Sequence, residues 1–397
     1  MALDLVGFGI VIPLLPLYAH RLGAGPTAVG VLLAAFSAAQ LLGAPLLGRL
    51  SDRVGRKPVL VVSLVGTALG SLLTGVAGSL WLLLVARVVD GASGGSVAVA
   101  QAAAGDLVAP HERTRAFGLL GAAYGVGFVV GPALGGLAAL GGARLPFFVA
   151  AAVAGVNAVM ALRRLPETSP GRARGTGPAG APRPGLGLAG VRRGLQAAAV
   201  PVTVTMLVVV AFSAFEVTFP LFARHRLGLG LADVGAVFAF VGLIAAGVQG
   251  GLVHRVVGRV GEAACVRLGA ATEGAGLLVL AVAHSRLALL VPLVLVTAGQ
   301  GLCTPVLSAL VVARVDPTDR GASLGSQQGC AALARVVGPV LGGGVVAAFG
   351  VGAGFVAGAV VLALALGLAL ALGGAGRESP GMVVEGPPRR LPLGNKG

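Results

Sequence analysis

Twelve apolar runs, each long enough to cross a lipid bilayer as a helix, constrain the fold of this chain more than any other feature. A hydrocarbon core of ~30 Å needs about 20 helical residues. The runs lie at 3–20, 27–49, 58–77, 80–103, 116–140, 145–162, 199–222, 232–252, 264–283, 287–310, 323–346 and 351–373. They lack the alternation of a barrel strand. The sequence therefore predicts an all-α polytopic membrane protein with twelve transmembrane helices.

The composition agrees with lipid as the main solvent. Of 397 residues, 56% are hydrophobic and 11% are charged, whereas a soluble domain carries about 25% charged residues. The net charge of +15 does not indicate nucleic-acid binding, because the cations lie in short loops and aromatic residues make up only 4%. The expected partner is the lipid bilayer, and nucleic acid is not expected.

No catalytic or metal-binding pattern is found in the sequence. The histidines are scattered without ligand spacing, and no phosphate-binding loop occurs. Cys265, Cys303 and Cys330 lie in or beside apolar runs, without the spacing of a disulfide framework or a metal site. The sequence therefore predicts neither an enzyme nor a bound cofactor or metal, and H⁺ is the expected coupling ion.

The distribution of lysine and arginine predicts the orientation, because cytoplasmic loops carry an excess of both. Of the 29 Lys and Arg residues, Arg87 and Arg335 lie within runs and five others lie in loops on one side, which leaves 22 for the other side. The more basic side holds both termini. We therefore expect a multi-pass protein of the cell membrane with both termini in the cytoplasm.

A break in composition divides the runs six and six. Residues 164–198 are rich in Pro, Gly and Arg and show no apolar periodicity, which is typical of a flexible linker. We predict an N-terminal six-helix bundle at 1–163, a cytoplasmic linker at 164–198, a C-terminal six-helix bundle at 199–373 and a disordered cytoplasmic tail at 374–397.

The two groups of runs are diverged copies of each other. APHERTRAFG (109–118) reappears as DPTDRGASLG (316–325), and GPALGG (131–136) reappears as GPVLGG (338–343), both at an offset of 207 residues. Two parallel repeats around a midplane cavity form the architecture of alternating-access carriers. The sequence thus predicts a secondary transporter of a small molecule, for which a monomer is expected to suffice.

The loop GRLSDRVGRKPVL (48–60) concentrates charge between two apolar runs. Rocking bundles need a latch at their cytoplasmic ends. Asp52 can interact with a neighbouring helix N-terminus, and Arg53 and Arg56 can pair with Asp106 or Glu112. The expected cytoplasmic gate comprises Gly48, Asp52, Arg53, Gly55, Arg56 and Lys57. The alternative is a loop whose cations only follow the positive-inside rule.

Four stretches resemble the motifs of one family. The loop 48–60 looks like the loop 2–3 motif of the major facilitator superfamily, and DLVGFGIVIPLLPLYA (4–19) is similar to span 1 of its twelve-span drug:H⁺ antiporters. ARVVDGASGG (86–95) and GVGFVVGPALGG (125–136) resemble the span 4 and span 5 motifs of those antiporters. The group that the chain resembles most is the bacterial tetracycline/H⁺ antiporters.

The resemblance implies the major facilitator fold, with two pseudo-symmetric six-helix bundles. It also implies proton-coupled efflux of a small amphipathic compound or drug, with tetracyclines among the candidates. Two alternatives stay open, namely a metabolite symporter or facilitator, and a non-transporting membrane receptor on the same fold.

Six ionisable residues fall inside the runs, where charge is costly and therefore points to function. They are Asp4, Arg87, Asp90, Glu216, Glu273 and Arg335. We expect them to couple protons and substrate. Asp4 could instead be an interfacial acid at a helix N-terminus. Arg87 and Asp90 are three residues apart and can pair on one helix face, which could also be purely structural.

The resemblance assigns roles to some of these residues. It makes Arg87 the motif arginine that governs proton transfer, and it matches Glu273 to an acid that tetracycline antiporters carry in span 9. Gln40 and Gln249 match polar residues of that group and are expected to line the substrate cavity. The chain departs from the group at Gly70, where the span 3 acid falls.

Arg335 lies near the middle of the eleventh run, too deep for its side chain to reach water easily, and should have an anionic partner. Glu216 is the first candidate, because spans 7 and 11 both line the cavity of the second half in this fold. Neither residue has a counterpart in the tetracycline group. The pair is expected to be either a structural ion pair or part of a site for an anionic or zwitterionic substrate.

The span 5 motif contains a proline among small residues. A proline removes a helix hydrogen bond and kinks the helix, while small residues let spans 5 and 8 approach closely. The expected hinge comprises Gly127, Gly131, Pro132, Gly135 and Gly136. Ordinary small-residue packing is the alternative.

Overall fold

The computed structural model describes residues 2–96, 99–100, 113–165, 196, 198–315, 320–370 and 372. Within these residues the chain forms twelve main helices and no strand. They are α1 (Ala2–Arg21), α2 (Pro26–Val54), α3 (Arg56–Val76), α4 (Leu80–Ser93), α5 (Arg113–Ala139), α6 (Leu145–Arg164), α7 (Ala199–Leu227), α8 (Leu231–Val260), α9 (Glu262–Ala281), α10 (Leu290–Ala313), α11 (Arg320–Phe349) and α12 (Val351–Leu370).

Each helix overlaps one of the twelve apolar runs, although α4 ends at Ser93, well before the end of the run 80–103. Ten of the described helices are long and apolar enough to cross a membrane. The predicted all-α fold with twelve membrane helices is therefore confirmed. The predicted linker at 164–198 and tail at 374–397 lie almost entirely outside the described residues, so the domain boundaries stay a prediction.

Some helices extend beyond their apolar runs because polar or charged residues cap their ends. α7 extends to Leu227, five residues beyond the run that ends at 222, and its last turn contains Arg224 and Arg226, where cations offset the helix dipole. Gly228 ends the helix with a φ of 64°, a left-handed conformation that favours glycine. Arg226 Nη1 also donates to the carbonyl oxygen of Ala281 at 2.8 Å, which joins the ends of α7 and α9.

Helix packing repeats between the first six helices and the last six. α1 packs on α5 and α3 on α6, and six helices later α7 packs on α11 and α9 on α12. The seams α3–α4 and α9–α10 correspond in the same way. Across the halves, α2 packs on α11 and α5 packs on α8. This pseudo-symmetry agrees with the internal repeat of the sequence.

The two halves touch through glycines at one end of the molecule. We call the end with the loops 22–25, 140–144 and 228–230 the far end, and the end where α1 begins and α12 ends the near end. In the far half, a Cβ on Gly30 of α2 would collide with the carbonyl oxygen of Pro339 of α11, and a Cβ on Gly343 with that of Pro26. Small residues allow this close approach, because lipid provides no hydrophobic force between helices.

α2 and α11 separate toward the near end. Gly48 lies 18 residues after Gly30, and Gly325 lies 18 residues before Gly343. Since 18 residues make five helical turns, each glycine faces the same way as its counterpart. A Cβ at Gly48 or Gly325 would meet nothing within 4 Å. Within the described residues of α2 and α11, the halves are therefore joined at the far end and apart at the near end.

Gly242 of α8 provides a test of the contact between α5 and α8. A Cβ there would collide with the carbonyl oxygen of Phe128, which cannot move without shifting the helix. We expect Gly242→Ala to lower stability by about 1–3 kcal/mol, the usual cost of overpacking, as measured by thermal unfolding in detergent. The matched control is Gly125→Ala on α5, where the nearest atom is 3.9 Å away. Equal melting temperatures for the two variants would contradict the contact.

Candidate functional site

A buried ion pair lies at the seam between α3 and α4. Arg87 Nη1 is 3.1 Å from Asp90 Oδ2, and the two residues are only 3% and 6% exposed. Arg87 Nη2 also donates to Oγ1 of Thr74 at 2.7 Å. Gly70 makes room for the pair, because a Cβ there would lie 2.6 Å from the Cβ of Asp90. Charges at this depth in a membrane bundle point to function.

Asp4 lies near this pair, in the first turn of α1. Its Oδ2 accepts a hydrogen bond from Ser96 Oγ at 2.6 Å, and its charge acts on Asp90. Asp4 and Ser96 line a cavity of about 230 Å³ together with Asn157 and Arg164 of α6. The rest of its lining is mainly apolar and includes Leu60, Leu64 and Leu165. A cavity of this size has room for several water molecules, which its few polar groups can bind. Asp4 thus lies beside a cavity at the near end that can admit water.

Glu273 lies at the corresponding seam of the second half, between α9 and α10. Its exposed fraction is 0%, and neither carboxyl oxygen has a hydrogen-bond partner among the described residues. The two helices touch here, since a Cβ on Gly299 would lie 2.5 Å from the backbone nitrogen of Glu273. An unpaired charge in such a place is costly, and a proton on the carboxyl removes that cost. The position suits a residue that binds a proton.

Glu216 of α7 and Arg335 of α11 interact electrostatically. Arg335 is exposed. It lies three residues before Gly338, which contacts α7, and four residues before Pro339, which contacts α2. Its side chain therefore projects between α2 and α7, where the two halves separate. The two charges belong to the surface that the second half presents to the first.

The two glutamines that were expected to line the cavity have different surroundings. Gln40 Nε2 donates to the carbonyl oxygen of Gly94 at 3.1 Å, so its amide helps to pack α2 on α4. Gln249 is exposed and lies in a π-helical turn of α8, Val248–Leu252. Such turns are rare and are frequent at functional sites.

Glycine joins the helices at the junction where the gate is predicted. Gly55 connects α2 to α3 with a φ of 119°, a conformation that favours glycine. Gly261 has the same role between α8 and α9, with a φ of 79°. The junction is therefore repeated in the two halves.

The latch proposed for this loop lies partly outside the described residues. Arg56 Nη1 donates to Ser51 Oγ at 2.7 Å, which ties the start of α3 to the end of α2. The side chain of Asp52 and the expected partners Asp106 and Glu112 are not among the described groups. The latch stays a prediction.

The span 5 motif faces two neighbours. The motif glycines that face α1 are Gly127, Gly131 and Gly135. Gly136 and the carbonyl oxygen of Pro132 face Gly235 of α8, whose own Cβ would collide with Gly136. Close packing across the halves therefore involves Pro132 and Gly136 at the C-terminal end of the motif and Phe128 near its start, while Gly127, Gly131 and Gly135 pack α5 within its own half.

Sequence reasoning missed one group, the phenylalanines Phe8, Phe36 and Phe128. Phe8 contacts Phe36 with ring centroids 5.6 Å apart and Phe128 at 6.5 Å. The guanidinium carbon of Arg87 lies 5.9 Å from the centroid of Phe36. A phenylalanine in an apolar run is usually part of a core, so no signal in the sequence distinguished these three.

The fold and the intramembrane charges define a carrier-type membrane protein built from two six-helix halves. The sequence model of the Major Facilitator Superfamily matches residues 1–269 and 252–394. The chain belongs to this superfamily of transporters.

Several characterised proteins are similar over most of their length. The class C tetracycline resistance protein of Escherichia coli is 31% identical over 356 residues, 88% of each chain. Multidrug resistance protein 1 of Bacillus subtilis (strain 168) is 28% identical, with 85% of each chain covered. The structure of the human organic anion transporter MFSD10 (TETRAN) matches with 26% identity and a TM-score of 0.66, over 93% of this chain and 96% of that one.

A more distant structure supports the fold alone. A bacterial homologue of the human lysosomal transporter Spinster, in an inward-facing and unoccupied conformation, has a TM-score of 0.77 at 16% identity. The match covers 93% of this chain and 94% of that one.

Removing one member of the Arg87–Asp90 pair should strand a buried charge. We expect Arg87→Ala to cost about 3–5 kcal/mol in thermal unfolding, and Arg87→Ala/Asp90→Ala to recover most of that loss. Arg226→Ala is the control. Arg226 is exposed, and its guanidinium carbon lies 5.7 Å from the ring centroid of Phe222, close to the 5.9 Å between Arg87 and Phe36. A double variant no more stable than Arg87→Ala would contradict the pairing.

Proposed function

We propose that this protein is a proton-driven exporter of small amphipathic compounds that works by alternating access. The observation that carries the proposal is the buried Arg87–Asp90 pair, an intramembrane ion pair that a proton can break. The tetracycline and multidrug resistance relatives support the export of drugs. One molecule is expected to suffice, because a single chain supplies both halves and the contacts between them.

The near end is assigned to the cytoplasm, because the loops and tail of that side hold 22 of the 29 Lys and Arg residues. With this orientation, the open near end corresponds to an inward-facing state that takes up substrate from the cytoplasm. Rocking of the halves about their far-end contacts would then expose the same site to the outside.

Asp90 is the proposed proton site of the first half. A proton on its carboxylate cancels the attraction for Arg87, which keeps its contacts with Thr74 and Phe36. Asp4, beside the near-end cavity, is the proposed exit for the proton. Glu273 supplies the second half with its own proton-binding carboxyl.

Everted membrane vesicles that are acidified inside provide the test of coupling. Adding a transported compound from a panel of tetracyclines and organic anions should release protons, which a pH-sensitive dye reports. We expect Asp90→Asn and Glu273→Gln each to reduce this release at least tenfold at equal expression. The control Asp233→Asn removes an acid that caps α8 at the far end and should leave the release unchanged.

Two outcomes would contradict these assignments. Proton release that survives both Asp90→Asn and Glu273→Gln would move the proton site elsewhere, with Asp4 and Glu216 next in line. Substrate movement that is indifferent to the pH gradient would indicate a facilitator in place of an antiporter.

Glu216 and Arg335 are the proposed polar part of the substrate site, which would select an anionic or zwitterionic compound. The electrostatic influence of Arg335 on Glu216 and the exposed position of Arg335 between the halves support this assignment. The similarity to a human organic anion transporter supports it as well. A purely structural ion pair is the competing explanation.

A double variant separates these two explanations. Arg335→Ala alone should impair expression or transport, because it leaves the Glu216 carboxylate without its cation. Arg335→Ala/Glu216→Ala should restore expression in either case. We expect the double variant to transport anionic members of the panel at least tenfold more slowly than the wild type, while neutral members are less affected. Full recovery of anion transport would show that the pair is structural.

A further inference from the structure

Three phenylalanine rings from three different helices meet in the first half. Phe8 of α1 lies between Phe36 of α2, at a centroid distance of 5.6 Å, and Phe128 of α5, at 6.5 Å. The Phe8–Phe128 contact is edge-to-face, with an interplanar angle of 84°. The helices α1, α2 and α5 are also the ones that contact the second half, through α7, α8 and α11. The three rings therefore come from the helices through which the first half contacts the second.

The rings and the charged pair of the second half lie at the same depth. Five residues lie 10 to 14 positions from the far ends of their helices, or about 15–21 Å at 1.5 Å per residue: Phe8, Phe36, Phe128, Glu216 and Arg335. The repeat offset of 207 places Phe128 and Arg335 at equivalent positions of the two halves. An aromatic group thus lies across the pseudo-symmetric interface from an ionic one.

The exposure of the rings distinguishes them from core packing. A second aromatic group, made of Phe215, Phe219, Phe222, Phe238 and Phe355, is at most 7% exposed and fills the far half of the second bundle, with the half-buried Phe212 at its edge. By contrast, Phe8 and Phe36 are half-buried and Phe128 is 39% exposed. Phe128 is thus more exposed than any ring of the second group.

Phe36 also joins the rings to the ion pair. The guanidinium carbon of Arg87 lies 5.9 Å from the centroid of Phe36, within the range of a cation–π contact. The same guanidinium bonds Asp90 at 3.1 Å. A ligand ring that displaces Phe36 would therefore alter the surroundings of the cation that holds Asp90.

We propose that Phe8, Phe36 and Phe128 form an aromatic half of the substrate site, opposite Glu216 and Arg335, and that Phe36 transmits occupancy to Arg87 and Asp90. The site takes a planar aromatic compound that carries an acidic group. Its rings stack on the first half, and its anion approaches Arg335 of the second. Phe36 is a positioning residue for Arg87. The transmission rests on the proposed proton coupling, whereas the binding site does not.

Equilibrium binding to the purified chain in lipid nanodiscs, without a gradient, tests the site itself. The probes are 2-naphthoate, its saturated analogue decahydro-2-naphthoate, and the neutral 2-naphthalenemethanol. We expect the wild type to bind 2-naphthoate at least fivefold more tightly than either analogue. Phe128→Leu should weaken 2-naphthoate binding about three- to tenfold and leave the binding of the saturated analogue unchanged. Equal affinity for the aromatic and saturated acids, or binding of neither, overturns the proposal.

The number of protons released per molecule of 2-naphthoate transported tests whether Phe36 transmits occupancy of the site to Arg87 and Asp90. Phe36→Leu should reduce this ratio at least fivefold, whereas Phe128→Leu should keep it and only weaken binding. Phe36→Tyr restores the ring and should restore the ratio. Phe222→Leu removes a comparable cation–π contact, with Arg226 at 5.7 Å, and should affect stability without changing the ratio.

The outcomes separate this proposal from the proposed function. An unchanged ratio in Phe36→Leu, or an equal fall in Phe222→Leu, overturns the role of Phe36. Selective 2-naphthoate binding by a wild type that moves no protons would instead contradict proton-driven export and leave the aromatic site in place.

Discussion

The lack of water inside a bilayer is the constraint on which the rest of this structure depends. Hydrocarbon offers no partner to a backbone N–H or C=O group, so a span must satisfy its own hydrogen bonds as a helix. The same lack of water makes each intramembrane charge costly. The contacts with Asp90 and Thr74 offset that cost for Arg87. The electrostatic interaction with Glu216 offsets part of it for Arg335. Because lipid also removes the hydrophobic force between helices, glycines such as Gly30 and Gly343 join the halves through close backbone contact.

The number and order of the helices could be predicted from the sequence, because hydropathy reports which residues prefer lipid. The correspondence between the helices of the first half and those of the second followed from the internal repeat. The faces of the helices could not be predicted, since a span that is apolar on all sides has no polar face to mark its exposed side. Gly127 and Gly131 therefore turned out to face α1, where the motif alone suggested α8. The caps that extend α7 to Leu227 consist of charged residues, which hydropathy counts against a span.

Part of the candidate site could likewise be predicted from the sequence, and part could not. A spacing of three residues was enough to predict that Arg87 and Asp90 share a face, and the cost of a lone arginine was enough to look for a partner of Arg335. The isolation of Glu273 was not predictable, because it depends on how closely Gly299 brings α10 to α9. The aromatic group was not predictable either, since its rings come from three helices that are far apart in the sequence.

The backbone is pseudo-symmetric, but the buried acids of its two halves have different surroundings. Each half holds one buried acid at the seam of its third and fourth helices, packed against a glycine of the facing helix: Asp90 against Gly70, and Glu273 against Gly299. A charge on Asp90 has Arg87 as its counter-ion, whereas a charge on Glu273 has no hydrogen-bond partner among the described residues. Under the proposed proton coupling, two identical acids in equivalent seams would gain and lose protons together as the halves rock. Unequal acids would respond one after the other, so that proton uptake in one seam could alternate with proton loss in the other.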